Sequence, residues 1–344
     1  MRRALLAAAY GRPRRDARYA AERVKRILLI RRNGIGDMIC ALPLMRSVRA
    51  AFRQARIEVL ASSINAGVAR SAAVADEVIV YPPRAGIYRN KYANLFRVAR
   101  ELRLRAYDLV VAVTGGHSTF LGSISYVTGA PWRAGYVPVR GEPYFAYTLP
   151  VDPPPADAHQ VHRCLRLLAP LGASPVAIDL TFDPGEAARA YAVEAAAQAA
   201  TGRFVLYNAS ATRPWNAWSA ERIAALATRL DLPMIVSGVA ADRPLLQELK
   251  PRVAAVLEPP SIHHFAALAE RSVFVMSGDG GAVHVAAAMK KPTFVLYPKR
   301  GNPRLWAPYG VPHAFVRSTG DVADITTEEV LRELENWKAG GWSG

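Results

Sequence analysis

The sequence predicts an α/β protein of two Rossmann-like halves, and three observations carry that prediction. Short continuous apolar runs of strand character alternate with helix-like stretches, the pattern of a parallel sheet covered by helices on both faces. The alternation runs down the first half of the chain, breaks at a stretch rich in Pro and Asp, and starts again. At 344 residues the chain is too long for one ordinary core and suits two domains.

In the first half, residues 27–30 (Ile-Leu-Leu-Ile) predict a strand, Asn33, Gly34, Ile35, Gly36 and Asp37 a turn, and residues 38–52 a helix. The strand signal returns at 57–61, 78–80 and 109–113, with an Arg-rich helix at 95–104. Pro and Asp at 150–155 predict a linker, followed by a helical segment, 158–171, that ends at Gly172. The second half reads strand 204–207, helix 220–230, strand 234–237, helix 243–249, strand 273–276, helix 282–289 and strand 293–296. We divide the chain into a basic tail or surface helix (1–26), a first domain (27–170) and a second (171–344), whose final helix is free to pack back on the first. Such sheets bind ligands outside the carboxyl ends of their strands. Chemistry is therefore expected in the loops after Ile30, Val113, Tyr207, Ser237, Met276 and Leu296.

The net charge of +16 sits in one half. Residues 1–150 hold 25 Lys and Arg against 9 Asp and Glu, whereas residues 151–344 hold 19 of each. An Arg-rich composition would load both halves alike, so the first half is expected to face something anionic: nucleic acid, a lipid headgroup or an acidic substrate. No aromatic-rich basic motif accompanies the charge, which argues against nucleic acid. Nine basic and two acidic residues in 1–26, among them Arg12, Arg14, Arg15 and Arg18, fit either a frayed tail or a helix on an anionic membrane surface. The apolar run at 5–10 is far shorter than the roughly 20 residues a spanning helix needs. Cys40 and Cys164, distant in sequence, have neither a metal-ligand spacing nor a disulfide framework and fit a reducing compartment.

Two constellations carry chemistry. Asp37 stands where the first strand gives way to its helix, and a carboxylate there either caps the helix or accepts a proton from a hydroxyl. Ser277, Gly278, Asp279, Gly280, Gly281, Ala282, Val283 and His284 follow a strand and open an Ala-rich helix. Small residues at a helix N-terminus let phosphate oxygens approach unpaired N–H groups, so this segment predicts a diphosphate cradle, although the GxGxxG pattern is not met. His284 either donates to a phosphate or is structural. Asp242, in the loop after Gly238, is a candidate for a ribose hydroxyl.

Taken in order, several segments resemble glycosyltransferase family 9, the heptosyltransferases. They are Gly36-Asp37 with Leu42-Pro43, 107–111 (Tyr-Asp-Leu-Val-Val), 215–221, 265–268, 279–284, 286–288, Pro292 and 306–310. The resemblance implies a GT-B architecture, two Rossmann-like domains facing a central cleft, with the acceptor on the first and the nucleotide sugar on the second. It implies inverting, metal-independent transfer of a heptose from ADP-heptose to an anionic lipopolysaccharide inner core, whose Kdo carboxylates and phosphates suit the basic half. By the same resemblance Asp37 is the base, Asn33, Gly34 and Gly36 form the acceptor-side turn, and 279–284 hold the donor diphosphate. No cofactor is implied, and neither half has an Asp-X-Asp run to bind a metal. The implied location is cytoplasmic, peripheral to the inner membrane, with a nucleotide sugar and an anionic glycolipid as partners and no nucleic acid.

Two departures from the family pattern bear on activity. Asn216 stands where members place a Lys thought to neutralise the leaving phosphate, and an amide cannot supply that charge. After Leu296 the loop carries Lys299 and Arg300, which with Arg213 are candidates to replace it or else are solvated charges. The rivals within this reading are another nucleotide sugar or acceptor, such as a capsule or O-antigen precursor, and a sugar-nucleotide binding protein of weak catalysis. Arg97, Glu101, Arg103 and Arg105 read as a solvated helix face. Trp306, Pro308 and Tyr309 either pack near a bound base or close a hinge.

Overall fold

The computed structural model describes residues 2–10, 12–14, 18–81, 91–199, 202–211 and 213–340. The chain forms two compact units, Met1–Leu180 and Thr181–Gly344. In the first, helix α1 (Arg2–Tyr10) precedes β1 (Arg26–Ile30), α2 (Ile35–Ala51), β2 (Arg56–Ser62), α3 (Ala66–Ser71) and β3 (Glu77–Tyr81). Then come α4 (Lys91–Leu104), β4 (Leu109–Ala112), α5 (Thr119–Val127), β5 (Trp132–Tyr136), β6 (Leu149–Val151) and α6 (Gln160–Leu165). The six strands pair in parallel in the order β3-β2-β1-β4-β5-β6. Ile27, Leu28, Leu29 and Ile30 are wholly buried because helices cover both faces of the sheet, and each contributes about 1.5–3 kcal/mol.

The second unit repeats the plan. Its elements are α7 (Glu186–Gln198), β7 (Val205–Asn208), α8 (Ala220–Ala227), β8 (Met234–Ser237), α9 (Arg243–Leu249), β9 (Ala255–Leu257) and α10 (Ile262–Arg271). They continue with β10 (Phe274–Gly278), α11 (Gly281–Ala288), β11 (Thr293–Tyr297), α12 (Pro303–Trp306), β12 (His313–Arg317) and α13 (Thr327–Ala339). The parallel order β12-β11-β10-β7-β8-β9 is that of the first sheet read from the other edge. Each sheet therefore has one switch point, between β1 and β4 and between β7 and β10, where the following loops leave in opposite directions and make room for a ligand.

Several expectations change. The stretch at 150–155 is not a linker: Pro150 lies in β6, an edge strand paired only with β5, where a missing N–H costs no ladder bond. Residues 171–180 stay with the first unit, fixed by Val176 N donating to Ser47 Oγ at 3.1 Å and Tyr19 Oη to the Leu171 carbonyl at 3.1 Å. Helix α13 packs on β12 and α8 of its own unit, with Trp337 against Phe274 and Phe294.

The basic segment before β1 is partly docked. Leu6 of α1 packs on the first core, and Arg14 donates to the Ala106 and Tyr107 carbonyls and pairs with Asp108 at 3.7 Å. Arg12 and Arg18 remain exposed, and Arg15 lies outside the described residues. The charged face of α4 is likewise structural: Arg103 donates to the Arg12 carbonyl at 2.7 Å, and Arg105 reaches Glu58 at 2.7 Å, Glu77 at 2.8 Å and Glu101 at 3.0 Å. The Arg97 side chain lies outside the described residues. Glu58, 1% exposed, also accepts from Tyr107 Oη at 2.5 Å. Burial works to raise its carboxyl, but the donors Tyr107, Arg56 and Arg105 outweigh it and hold the group below its ordinary range.

Candidate functional site

At the first switch point α2 begins three residues earlier than its apolar pattern predicts. Gly34 is its N-cap, and Asp37, in the first turn, reaches back so that Oδ2 accepts from Gly34 N at 3.1 Å. The opposite oxygen is taken by the neighbouring strand end: Arg31 Nη2 donates to Asp37 Oδ1 at 2.7 Å and Nε to the Asp37 carbonyl at 2.8 Å. Asp37 thus caps its helix, and 24% of its side chain still faces solvent, so capping and proton acceptance are compatible.

Asn65, wholly buried, ties down the turn of Asn33, Gly34 and Gly36. Its Nδ2 donates to the carbonyls of Asn33 at 2.8 Å, Arg31 at 3.2 Å and Gly34 at 3.5 Å. The loop after β4 brings His117, whose Nδ1 lies 2.9 Å from the Tyr136 carbonyl. Cys40 on α2 and Cys164 on α6 come within electrostatic reach of each other and of Arg31 and Asp37. Burial raises both thiols, Cys164 to about 11, and leaves them unreactive.

At the second switch point Asn208 Nδ2 spans β7 and β10, donating to Ser277 Oγ at 3.2 Å and the Ser210 carbonyl at 3.1 Å. Asn216 Nδ2 donates to the Asp279 carbonyl, while its Oδ1 is buried with no partner among the described residues. The turn that carries it, 214–216, presses on the end of β10: a Cβ on Gly278 would lie 2.6 Å from the Asn216 carbonyl oxygen. Gly280 is the N-cap of α11 and offers no side chain to the first-turn N–H groups of Gly281, Ala282 and Val283, which suits an incoming anion. Burial pushes the Asp279 carboxyl up to about 6, and no cation is in ion-pair range among the described residues.

The three candidate cations differ in setting. Arg213 and Arg300 converge on one ring, with guanidinium carbons 5.3 and 4.4 Å from the Trp215 centroid, and Arg300 also lies 3.4 Å from Asp321. Lys299 is exposed, and its backbone N–H donates to the Gly320 carbonyl at 2.7 Å. His284 is 3% exposed and packs edge-on against Trp306 at 5.7 Å, the setting of a structural histidine. Asp242 Oδ2 accepts from Ser210 Oγ at 2.6 Å and Val239 N at 2.8 Å, so this carboxylate shapes the loops after β7 and β8. Trp218, in the motif segment, is core and donates to the Ile325 carbonyl at 2.9 Å.

Arg31, Asn65 and Gln160 were not singled out from the sequence. The available signal was the pair Arg31-Arg32 directly after a buried strand, where a charged residue needs a partner.

Two doubly wound sheets, each with one switch point and the candidate loops beside it, define the class: the chain has the GT-B type of fold of the heptosyltransferases it resembles in structure. It belongs to glycosyltransferase family 9 (heptosyltransferase), whose profile matches residues 95–333. Among solved structures, it is similar to a family 9 glycosyl transferase from Veillonella parvula DSM 2008, with TM-score 0.75 and 20% identity over 92% of this chain and 98% of that one. ADP-heptose lps heptosyltransferase II of E. coli gives TM-score 0.70 and 21% identity over 92% and 99%. The E. coli heptosyltransferase WaaC with ADP-2-deoxy-2-fluoro heptose gives 0.71 and 20% over 90% and 99%. No curated protein sequence matches the chain. The protein is thus a glycosyltransferase of the heptosyltransferase family, and no helix among its described residues is long and apolar enough to cross a membrane.

Proposed function

We propose that the protein transfers a heptose from ADP-heptose to an anionic lipopolysaccharide inner core, with inversion and without a metal. The observation that carries this reading is the Asp37 carboxylate, anchored through Oδ1 and Oδ2 and still partly exposed at the first switch point. Asp37 takes the proton of the acceptor hydroxyl as its oxygen attacks the anomeric carbon. The bond from that carbon to the diphosphate oxygen breaks, and ADP leaves with the electron pair. Displacement from the opposite face inverts the centre.

The leaving charge falls to the first-turn N–H groups of α11 and to Arg213 and Arg300, with Lys299 in the same loop. That assignment gives the reaction its charge without the Lys that Asn216 replaces, and it leaves no step that requires a divalent ion. The 25 basic residues of 1–150 suit an acceptor bearing carboxylates and phosphates, and exposed Arg12 and Arg18 suit a peripheral contact with an anionic membrane on the cytoplasmic side.

Asn216 also favours a second reading, a sugar-nucleotide binding protein of weak catalysis, because its amide is spent on the Asp279 carbonyl. Transfer from ADP-heptose to a Kdo-bearing inner-core glycolipid, assayed in EDTA, separates the two. The proposal expects turnover with an inverted anomeric product; donor binding without transfer supports the second reading, and a strict need for a divalent ion contradicts the metal-free mechanism.

A further inference from the structure

We propose that Arg31 is a positioning residue for this reaction, acting through Asp37 without touching substrate. The inference rests on the reading of Asp37 as the base. Arg31 directly follows β1, and its side chain is 0% exposed, so no substrate reaches it. A guanidinium keeps its charge at any working pH, and buried it needs both a counter-charge and partners for its N–H groups. Nη1 donates to the Val113 carbonyl at 3.0 Å, Nε to the Asp37 carbonyl at 2.8 Å and Nη2 to Asp37 Oδ1 at 2.7 Å. Among the described residues Asp37 is the one carboxylate in ion-pair range of it.

The geometry explains why an arginine serves. One fork grips the backbone and the carboxylate of the same residue, which sets both where Asp37 sits and how its carboxyl plane is turned; a lysine supplies a single point of charge. Val113 directly follows β4, as Arg31 directly follows β1, so the same guanidinium ties the ends of the two switch-point strands to Asp37. Gln160 adds a fourth contact: in the amide orientation that satisfies both ends, its Oε1 accepts from Arg31 Nη2 and Gly115 N, each at 3.2 Å. A Cβ on Gly115 would lie 2.1–2.6 Å from the atoms of the Gln160 amide group, so any larger residue there would push this amide aside.

The test compares Arg31→Ala, Arg31→Lys, Gln160→Met and Asp37→Asn with the wild type, using ADP-heptose and a Kdo-bearing inner-core glycolipid, with folding followed by circular dichroism. An aim lost by about an ångström costs on the order of 100-fold, so Arg31→Ala should lower kcat about that much while the KM for ADP-heptose stays within twofold. Arg31→Lys should recover part of the loss, and added guanidinium ion should restore turnover to Arg31→Ala alone. Should Arg31→Ala fail to fold, Gln160→Met decides: a several-fold lower kcat with unchanged donor KM supports the inference, and an unchanged kcat overturns it. A folded Arg31→Ala within threefold of wild type, beside an inactive Asp37→Asn, overturns the inference alone. So does a loss that neither lysine nor guanidinium relieves. Wild-type turnover of Asp37→Asn removes the base reading and this inference with it.

Discussion

Asp279→Asn isolates the cost of holding a largely buried carboxylate in the loop between β10 and α11. Burial moves this carboxyl from an ordinary 3.8 up to about 6, with no cation in ion-pair range among the described residues. The group ionises more easily in the unfolded chain than in the folded one, so the protein loses stability as pH rises from the ordinary value through about 6. Roughly two units at 1.36 kcal/mol each give about 3 kcal/mol at pH 8, falling to about half of that at pH 5 and almost nothing near pH 3. Asparagine keeps the shape and cannot ionise. The variant should therefore unfold later than wild type at pH 8, by roughly 6–12 °C for a unit of this size, with the gap narrowing as the pH falls. Thermal unfolding of both proteins across pH 4 to 8 reads this directly. A pH-independent gap, or a variant less stable at pH 8, would refute the argument that the carboxylate is held against its own desolvation.

Other perturbations probe separate parts of the account. Tyr107→Phe removes a donor from buried Glu58 and should cost about 1.5–3 kcal/mol at pH 7, less as the pH falls through the depressed Glu58 value and the carboxylate protonates; urea unfolding against pH measures it. Gly278→Ala should weaken ADP binding, seen by calorimetry, because the new methyl must displace the backbone of Asn216 from the end of β10. Arg213→Gln with Arg300→Gln should lower ADP affinity tenfold or more if these cations face the diphosphate, and leave it unchanged if they only stack on Trp215. Arg12→Gln with Arg18→Gln should weaken association with anionic vesicles by about 1 kcal/mol per charge, in low salt more than in high.

The strands that carry the switch points were legible because burial on both faces writes them as uninterrupted apolar runs: 27–30, 109–113, 204–207 and 273–276 each mark a central strand. β5, β6, β9 and β12 were not: β5 (Trp132–Tyr136) and β12 (His313–Arg317) carry arginine inside or at the end of the run, β6 and β9 are short, and β6 contains a proline that reads as a break until its single partner strand is seen. Asp37 and the glycine-rich start of α11 were visible as local patterns, whereas Asn65 and Gln160 act through contacts between residues far apart in the chain, and the burial that forces Arg31 onto Asp37 comes from strands and helices distant in sequence. The contacts of Arg14 with Asp108, of Arg103 with the Arg12 carbonyl and of Arg105 with Glu58 were hidden for the same reason, since a basic run looks alike whether it faces solvent or a partner within the fold.

Transfer by Asp37→Asn tests the central claim most directly. The amide keeps one accepting oxygen, for either Arg31 or the Gly34 N–H, and the Arg31 contact to the backbone carbonyl of residue 37 is untouched, so the fold should survive with a weakened helix start, while the amide oxygen cannot take up the proton of the acceptor hydroxyl. With ADP-heptose and a Kdo-bearing inner-core glycolipid, single-turnover transfer should fall by about 10²–10⁴-fold while the calorimetric affinity for ADP stays that of the wild type. Turnover within a few fold of wild type would contradict the account, because it would leave the anchored carboxylate at the first switch point without a role in the chemistry.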